Sequence, residues 1–267
     1  MEILRTFVFF TGGFVAALYA SSVGGLAFIV LPLLLLFGLP IKEAIGTGRI
    51  VAAAMSGVAL LRYSQKEKIH FKTAIPVAIL FTICSYFGTF ALKYLTNEEM
   101  KYLAVGAMIT AIFLNIFSEK LHVAGKKNLT IVILFISIVG LYTGAFGMGA
   151  GAILIFAPIM LGYTFREAIG INQSAIFLSC LVTSLVFFKD GLINLNFAAP
   201  LILGVSAGSW VGISWSLKKG DKYIKIRDIG KNWLLFMFSF GLCKLLNRVY
   251  LFMYESMSKK RLVSAVQ

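Results

Sequence analysis

The sequence predicts an all-α, polytopic membrane protein with about eight to ten membrane segments in two related halves. Three observations support this fold class. Apolar residues make up 59% of the 267 residues and charged residues only 13%, whereas a soluble domain is about half apolar and about a quarter charged. The apolar residues lie in long runs, and similar motifs occur twice along the chain. A cytosolic enzyme, a disordered protein and a small disulfide-stapled protein are therefore excluded.

The apolar runs are membrane segments by length, because a transmembrane helix needs about 20 apolar residues. They span approximately 6–20, 25–39, 44–62, 73–95, 100–118, 128–145, 151–164, 167–188, 197–217 and 231–253. The runs 6–20, 25–39 and 151–164 are short for a full crossing, and stretches of small residues adjoin them. Such stretches interrupt helices within the membrane.

An internal duplication organises these segments. With Pro32 aligned on Pro158 and one two-residue gap, Glu43-Ala-Ile-Gly matches Glu167-Ala-Ile-Gly at an offset of 124 residues. The same offset aligns further residues downstream, including Ser85 with Ser209. We therefore divide the chain into a first repeat (1–119), a basic linker (120–127) and a second repeat with a basic C-terminal tail (128–267).

The charges between the segments bear on how the two halves insert. The net charge is +14, and the basic residues lie in short gaps, where they act as topology signals. Four of them lie in 62–72, but the equivalent gap of the second half holds only Lys189; the next pair of gaps reverses this bias. Inverted halves place 62–72, 120–127 and 218–231 in the cytoplasm but leave the basic tail outside. Parallel halves agree nearly as well with the rule that basic loops lie in the cytoplasm. We favour the inverted arrangement.

The first candidate site is a pair of small-residue stretches, one in each half. Their members are Ser22, Gly24 and Gly25 in the first half and Gly147, Gly149 and Gly151 in the second, with Pro32 and Pro158 expected as helix breaks further along. A broken helix presents free N–H groups and a positive dipole end, which attract anions. The alternative is close helix packing through small residues. Because paired interruptions are typical of transport sites, we favour substrate binding.

The second candidate site is Arg49 with Thr47, together with Asn172 and Gln173 at the matching place in the second half. A charge inside an apolar helix is costly, and no acidic residue lies one turn deeper in the same helix. A transported anion would compensate for the charge of Arg49. The alternatives are that Arg49 extends to the lipid headgroups and that the neutral residues form interhelical hydrogen bonds.

Other kinds of site lack the residues that they need. The three cysteines lie inside apolar runs without a CxxC pair, and the two histidines lie far apart; we therefore expect no metal site, no cofactor and no catalytic residues. The scarcity of acidic residues within the segments argues against cation substrates and proton relays. No soluble domain is left over to bind nucleic acid. The expected partners are a small anionic substrate and the lipid bilayer, and pairing with a second copy of the chain stays open.

The order and spacing of the motifs resemble those of the TauE/SafE family, also called sulfite exporter or sulfonate permease-like transporters. The residues that carry the resemblance are Gly144-x-x-Gly147-x-Gly149-Ala-Gly151, Pro158, 166–170, 191–194 and 204–212, with a weaker first copy at 22–25, Pro32 and 44–47. The chain departs from the family pattern at Ala150, where members commonly have a third glycine, and at Gly48-Arg49, where they often carry a polar residue before a basic one.

The resemblance implies a multi-pass transporter of the bacterial inner membrane for sulfite, an organosulfonate or a related sulfur-containing or carboxylate anion. Two alternatives belong to other classes. A membrane assembly or scaffold protein without transport would not need paired helix breaks, and an intramembrane enzyme would need a buried acid, base or metal set. The sequence leaves the direction of transport and the coupling ion open.

Overall fold

In the computed structural model, the described residues are 2–96, 99, 129–146 and 150–219. The predicted segments 100–118 and 231–253, the basic linker and the C-terminal tail lie outside this part of the chain. The described residues form the helices α1 (Glu2–Val23), α2 (Ala27–Leu36), α3 (Ile41–Ser64), α4 (Phe71–Tyr94), α5 (Leu129–Phe146), α6 (Ala150–Leu154), α7 (Phe156–Met160), α8 (Phe165–Lys189) and α9 (Leu195–Lys219). An all-helical architecture is confirmed for this part.

Among the described residues, four helices are long and apolar enough to cross a membrane. They cover Ile41–Ser64, Phe71–Phe90, Phe165–Lys189 and Leu195–Lys218, and shorter apolar stretches lie at Arg5–Leu18, Ala27–Leu36 and Leu129–Ala145. Many large apolar side chains on α4, α5 and α9 are exposed. Lipid accommodates such a surface without cost, whereas water would not.

Local sequence explains where several helices begin. The hydroxyl oxygen of Thr164 accepts a hydrogen bond from the N–H of Glu167, and the Glu167 carboxylate accepts one from the N–H of Thr164, so that a capping box starts α8. Proline 40 directly precedes α3, and Gly38, at φ +87°, makes the turn before it. Glycine adopts this left-handed conformation without steric cost.

Helices α3 and α8 cross antiparallel at the centre of the structure. Near the start of α3, Gly46 lies against Phe187; further along, Gly57 approaches the ring of Phe177; and Gly170 packs against Tyr63 at the end of α3. At successive contacts the residue number rises along α3 and falls along α8, so the two helices are antiparallel.

Two other helix pairs run parallel. Glycines 204, 208 and 212 of α9 lie against the backbone carbonyls of Phe10, Phe14 and Leu18 of α1, in the same order. On the other side, Gly140 of α5 approaches Phe81 and Gly144 approaches Ser85 of α4. Small residues at such spacing let helix backbones approach closely in lipid.

The remaining contacts fix the direction of every long helix. Ser209 of α9 donates to the carbonyl of Met55 at 2.9 Å, and Arg62 donates to Ser214 at 2.7 Å, so α3 and α9 are parallel. The start of α4 faces the start of α8, where Thr73 and Tyr163 share a hydrogen bond. Helices α1, α3 and α9 therefore run one way and α4, α5 and α8 the other.

Candidate functional site

The first small-residue stretch separates α1 from α2. Helix α1 ends at Val23 and α2 begins at Ala27, and both Gly24 and Gly25 lie at φ +91°. Two successive residues in this conformation strongly favour glycine. The backbone at both positions is buried, and Ser22 lies in the last turn of α1.

Three N–H groups follow the break at the start of α2. Gly24 donates to the carbonyl of Ala20 at 2.6 Å, and Phe28 donates to Gly25 at 3.1 Å. Among the described residues, no acceptor bonds the N–H groups of Gly25, Leu26 and Ala27. Buried N–H groups nearly always have a partner, and free N–H groups at the positive end of a helix attract anions.

Gly151 of the second stretch lies beside the first stretch. Gly147 and Gly149 are outside the described residues, but Gly151, in the first turn of α6, is buried. A Cβ added at Gly151 would stand 2.9 Å from the Cα of Gly24 and 2.7 Å from Cδ1 of Ile176. Gly151 and Gly24 therefore lie backbone to backbone.

The prolines differ from the expectation that both mark helix breaks. Pro32 lies inside α2, which continues through it; the interruption lies at Gly24-Gly25 instead, because the glycine conformation ends α1. Pro158 lies in the first turn of α7, just after the boundary with α6 at Ile155. A proline is tolerated there because the first-turn N–H groups have no intrahelical acceptor.

Asn172 and Gln173 bind the backbone at the two stretches. The Nδ2 of Asn172 donates to the carbonyl of Gly151 at 2.9 Å, and Nε2 of Gln173 donates to the carbonyl of Ser21. Both residues are fully buried. Their Oδ1 and Oε1 atoms, like the Ser21 hydroxyl, have no partner among the described residues. The amide donors are thus engaged, and the free atoms are acceptors.

Arg49 is 2% exposed and does not extend to the surface. Its Nη2 donates to the carbonyl of Thr143 and, at 3.3 Å, to that of Gly144. Both carbonyls belong to the last turn of α5, where intrahelical partners run out and the helix dipole is negative. An internal partner for Arg49 therefore exists, which the sequence did not reveal. Within the described range no carboxylate pairs with the guanidinium, and its Nε is without a partner.

Thr47 lies apart from these groups. Its hydroxyl oxygen accepts a hydrogen bond from the N–H of Asn194 at 3.0 Å, which fixes the segment before α9. This contact uses a lone pair of the Thr47 hydroxyl and leaves its O–H available as a donor.

The contact between the glycines lies between Arg49 and Gln173. Gly151 contacts Ile176; the guanidinium of Arg49 interacts with the thiol of Cys180, one turn further along α8; Gln173 lies three residues before Ile176. At about 1.5 Å per residue along α8, Cys180 lies about 6 Å and Gln173 about 5 Å from Ile176, which marks the glycine contact. Arg49 and Gln173 thus lie on opposite sides of the contact between Gly24 and Gly151.

Sequence reasoning missed Thr143 and Cys180, and it did not count Ser21 and Gly144 as binding residues although both belong to the predicted small-residue stretches. The position of Ser21 beside Ser22 and Gly24 was an available signal. No sequence signal marks the carbonyl acceptors of Thr143 and Gly144, because every residue has a carbonyl. Only the packing of α5 against α4 and α3 selects these two.

Comparison with known proteins shows which family the chain resembles. A sequence model described as the sulfite exporter TauE/SafE matches residues 9–227. The chain is 24% identical over 221 residues to a probable membrane transporter protein of Sinorhizobium sp, which covers 81% of this chain and 85% of the relative.

Two further relatives carry the same description. A probable membrane transporter protein of Haemophilus influenzae is 25% identical over 223 residues, 82% of this chain and 88% of its own. One of Methanocaldococcus jannaschii is 26% identical over 235 residues, 80% and 87% of the two chains. No solved structure matches significantly. Because the family match covers most of the chain, the protein belongs to the sulfite exporter TauE/SafE family of multi-pass membrane transporters.

Proposed function

We propose that the protein transports a small anion and binds it where the glycine stretches of its two halves meet. The observation that carries the proposal is the run of N–H groups at Gly25, Leu26 and Ala27 that have no acceptor among the described residues. They lie at a buried break, beside Gly151. Three successive donors at the positive end of a helix favour an oxyanion.

Arg49 supports the proposal through its charge. Its carbonyl partners are neutral, so the buried positive charge is only partly compensated by the dipole of α5. An anion at the break would lie about one helical turn from the guanidinium, at the level given by Cys180. In a medium of low dielectric, attraction over that distance is considerable.

The substrate class follows from the shape of the donor group. Several N–H groups in succession suit an anion with several oxygens, such as sulfite, an organosulfonate or a carboxylate. The family description names a sulfite exporter, and sulfite is therefore the first anion to test. A hydrophobic substituent, as in an organosulfonate, would lie against the apolar side chains of α2.

The helix directions support transport by alternating access. The duplication pairs α3 with α8 at an offset of 124 residues, and these two helices run antiparallel. Equivalent helices in opposite directions favour inverted halves, which allow one half to move against the other around a central site. At one end, His70 pairs with Glu167 at 2.9 Å and Arg166 with Glu67 at 3.2 Å. The first pair is exposed and the second half-buried, and ion pairs near a surface are weak enough to open and close.

A pair of matched glycine substitutions tests the proposed site. Gly151→Ala places a methyl group against Gly24 and Ile176, whereas Gly48→Ala meets nothing within 4 Å. We expect uptake of radiolabelled sulfite into proteoliposomes to fall at least about tenfold in Gly151→Ala, as one or two kcal/mol of overpacking at a binding site would produce. Gly48→Ala should keep the wild-type rate.

The same assay with a panel of anions decides the substrate class. Organosulfonates and small carboxylates would compete with sulfite if the site recognises oxyanions in general. The site assignment fails if Gly151→Ala transports every tested anion at the wild-type rate.

A further inference from the structure

Three buried oxygen atoms beside the first break are without hydrogen-bond partners. They are Oγ of Ser21, Oδ1 of Asn172 and Oε1 of Gln173, each in a residue that is 0% exposed. The donor of Gln173 reaches Ser21, that of Asn172 reaches Gly151, and Gly151 touches Gly24. Gln173 is thus joined to Ser21, and the adjacent Asn172 to the glycine contact; the Oγ of Ser21 also faces Gly212 of α9, 2.6 Å from the place of an added Cβ.

The orientation of the two amides is fixed by these bonds. A flipped amide would set its oxygen against a carbonyl oxygen, which is repulsive, so the nitrogen must face the backbone. The free amide oxygens are lone-pair acceptors, which repel an anion, whereas the Ser21 hydroxyl can donate or accept. The two amide oxygens therefore have the opposite electrostatic character to the N–H groups that follow Gly24.

In the first half, Arg49 occupies the position equivalent to Gln173. Arg49 and Gln173 are separated by the offset of 124 residues, and each donates to carbonyls in the last turn of the other half's first helix: Arg49 to α5, Gln173 to α1. The end of α5 thus receives a positive charge from the protein. The end of α1, with the same partial negative charge, receives only a neutral amide.

We infer that a monovalent cation, Na⁺, binds the oxygen atoms of Ser21, Asn172 and Gln173 and is transported together with the anion, an inference that rests on the proposed function. Neutral oxygen ligands suit a hard cation, and the lack of a carboxylate disfavours Ca²⁺ and Mg²⁺. Carbonyl ends of broken helices are a common place for coupling ions.

Proton coupling would need a different set of residues. None of the three ligand groups titrates near neutral pH, and no Asp, Glu or His is buried among the described residues. The proposed anion lies at the glycine contact, about 5 Å from the level of Gln173 along α8, as counted from Gln173 to Ile176. A sodium ion there would offset the charge of an incoming anion.

Binding of radiolabelled sodium to the full chain in lipid nanodiscs tests the inference. Wild type should bind sodium saturably, and Ser21→Ala should bind it at least about tenfold more weakly, since one ligand to a charged group is lost. Gln173→Arg should abolish binding, because it supplies a tethered cation as Arg49 does in the other half. Ser56→Ala is the matched control: its hydroxyl is equally buried but already donates to Ala52 at 2.7 Å, and its affinity should not change.

The inference is overturned if wild type shows no saturable sodium binding, or if Ser21→Ala binds like wild type. Ser21→Ala is a small change and carries the test if Gln173→Arg does not fold. Radiolabelled sulfite and the other anions are measured in the same nanodiscs. Sodium binding without any anion binding refutes the proposed function alone, whereas anion binding that ignores sodium refutes the cation site alone.

Discussion

At the scale of single residues, Arg49 carries the most information. A charge buried at 2% exposure is expensive in a membrane protein and is typically functional. Its bonds to Thr143 and Gly144 give it a structural role at the end of α5. That structural role does not need a charge, because the neutral amide of Gln173 donates to the equivalent carbonyl of α1.

Two substitutions of Arg49 separate charge from hydrogen bonding. Arg49→Gln keeps an amide donor for the α5 carbonyls, as Gln173 does for α1, but removes the charge; Arg49→Lys keeps the charge. We expect Arg49→Gln to fold and to lower sulfite flux at least about tenfold, with Arg49→Lys retaining more flux. Equal flux in wild type and Arg49→Gln, measured in proteoliposomes at equal protein amounts, would assign Arg49 a purely structural role.

At the scale of elements, the close packing of α1 against α9 depends on glycine. Gly204, Gly208 and Gly212 contact successive turns of the α1 backbone, and Gly208 lies against the carbonyl of Phe14. A side chain there forces the helices apart. This pair positions the end of α1, and thereby Ser21 and the first break.

Gly208→Val should therefore destabilise the protein by about 1–3 kcal/mol through overpacking. The adjacent Ala207→Val is the control, because Ala207 is exposed on the same helix. Thermal unfolding in one detergent should show a lower midpoint for Gly208→Val and little change for Ala207→Val. A Gly208→Val midpoint equal to wild type would contradict the tight α1–α9 contact.

The elements also show how far the sequence could predict the structure. The segments 44–62, 167–188 and 197–217 correspond to α3, α8 and α9, because long apolar runs can only be helices in lipid. The break at Gly24-Gly25 was equally readable, since successive glycines permit a positive φ. Hydropathy does not indicate which helices touch, and so the carbonyl partners of Arg49 and Gln173 could not be predicted. Pro32 was misread because a proline can lie in a helix that continues through it.

At the scale of the whole molecule, the account rests on two related halves that insert in opposite directions and meet at their glycine stretches. Loop charges nearly balanced the inverted and parallel arrangements. The antiparallel contacts of α3 with α8, from Gly46 with Phe187 to Tyr63 with Gly170, favour the inverted one. The two breaks, and the ion sites proposed beside them, then become equivalent parts of one central site with opposite electrostatic character.

The most direct test of this central claim is the sidedness of two equivalent loops. Lys68 follows α3, Lys189 ends α8, and both are exposed. Single Lys68→Cys and Lys189→Cys variants, in a background without the native cysteines, are labelled with a membrane-impermeant maleimide in intact cells and in inverted vesicles. Inverted halves predict that one site is labelled only in cells and the other only in vesicles. Labelling of both sites from the same side would show parallel halves and would contradict the account.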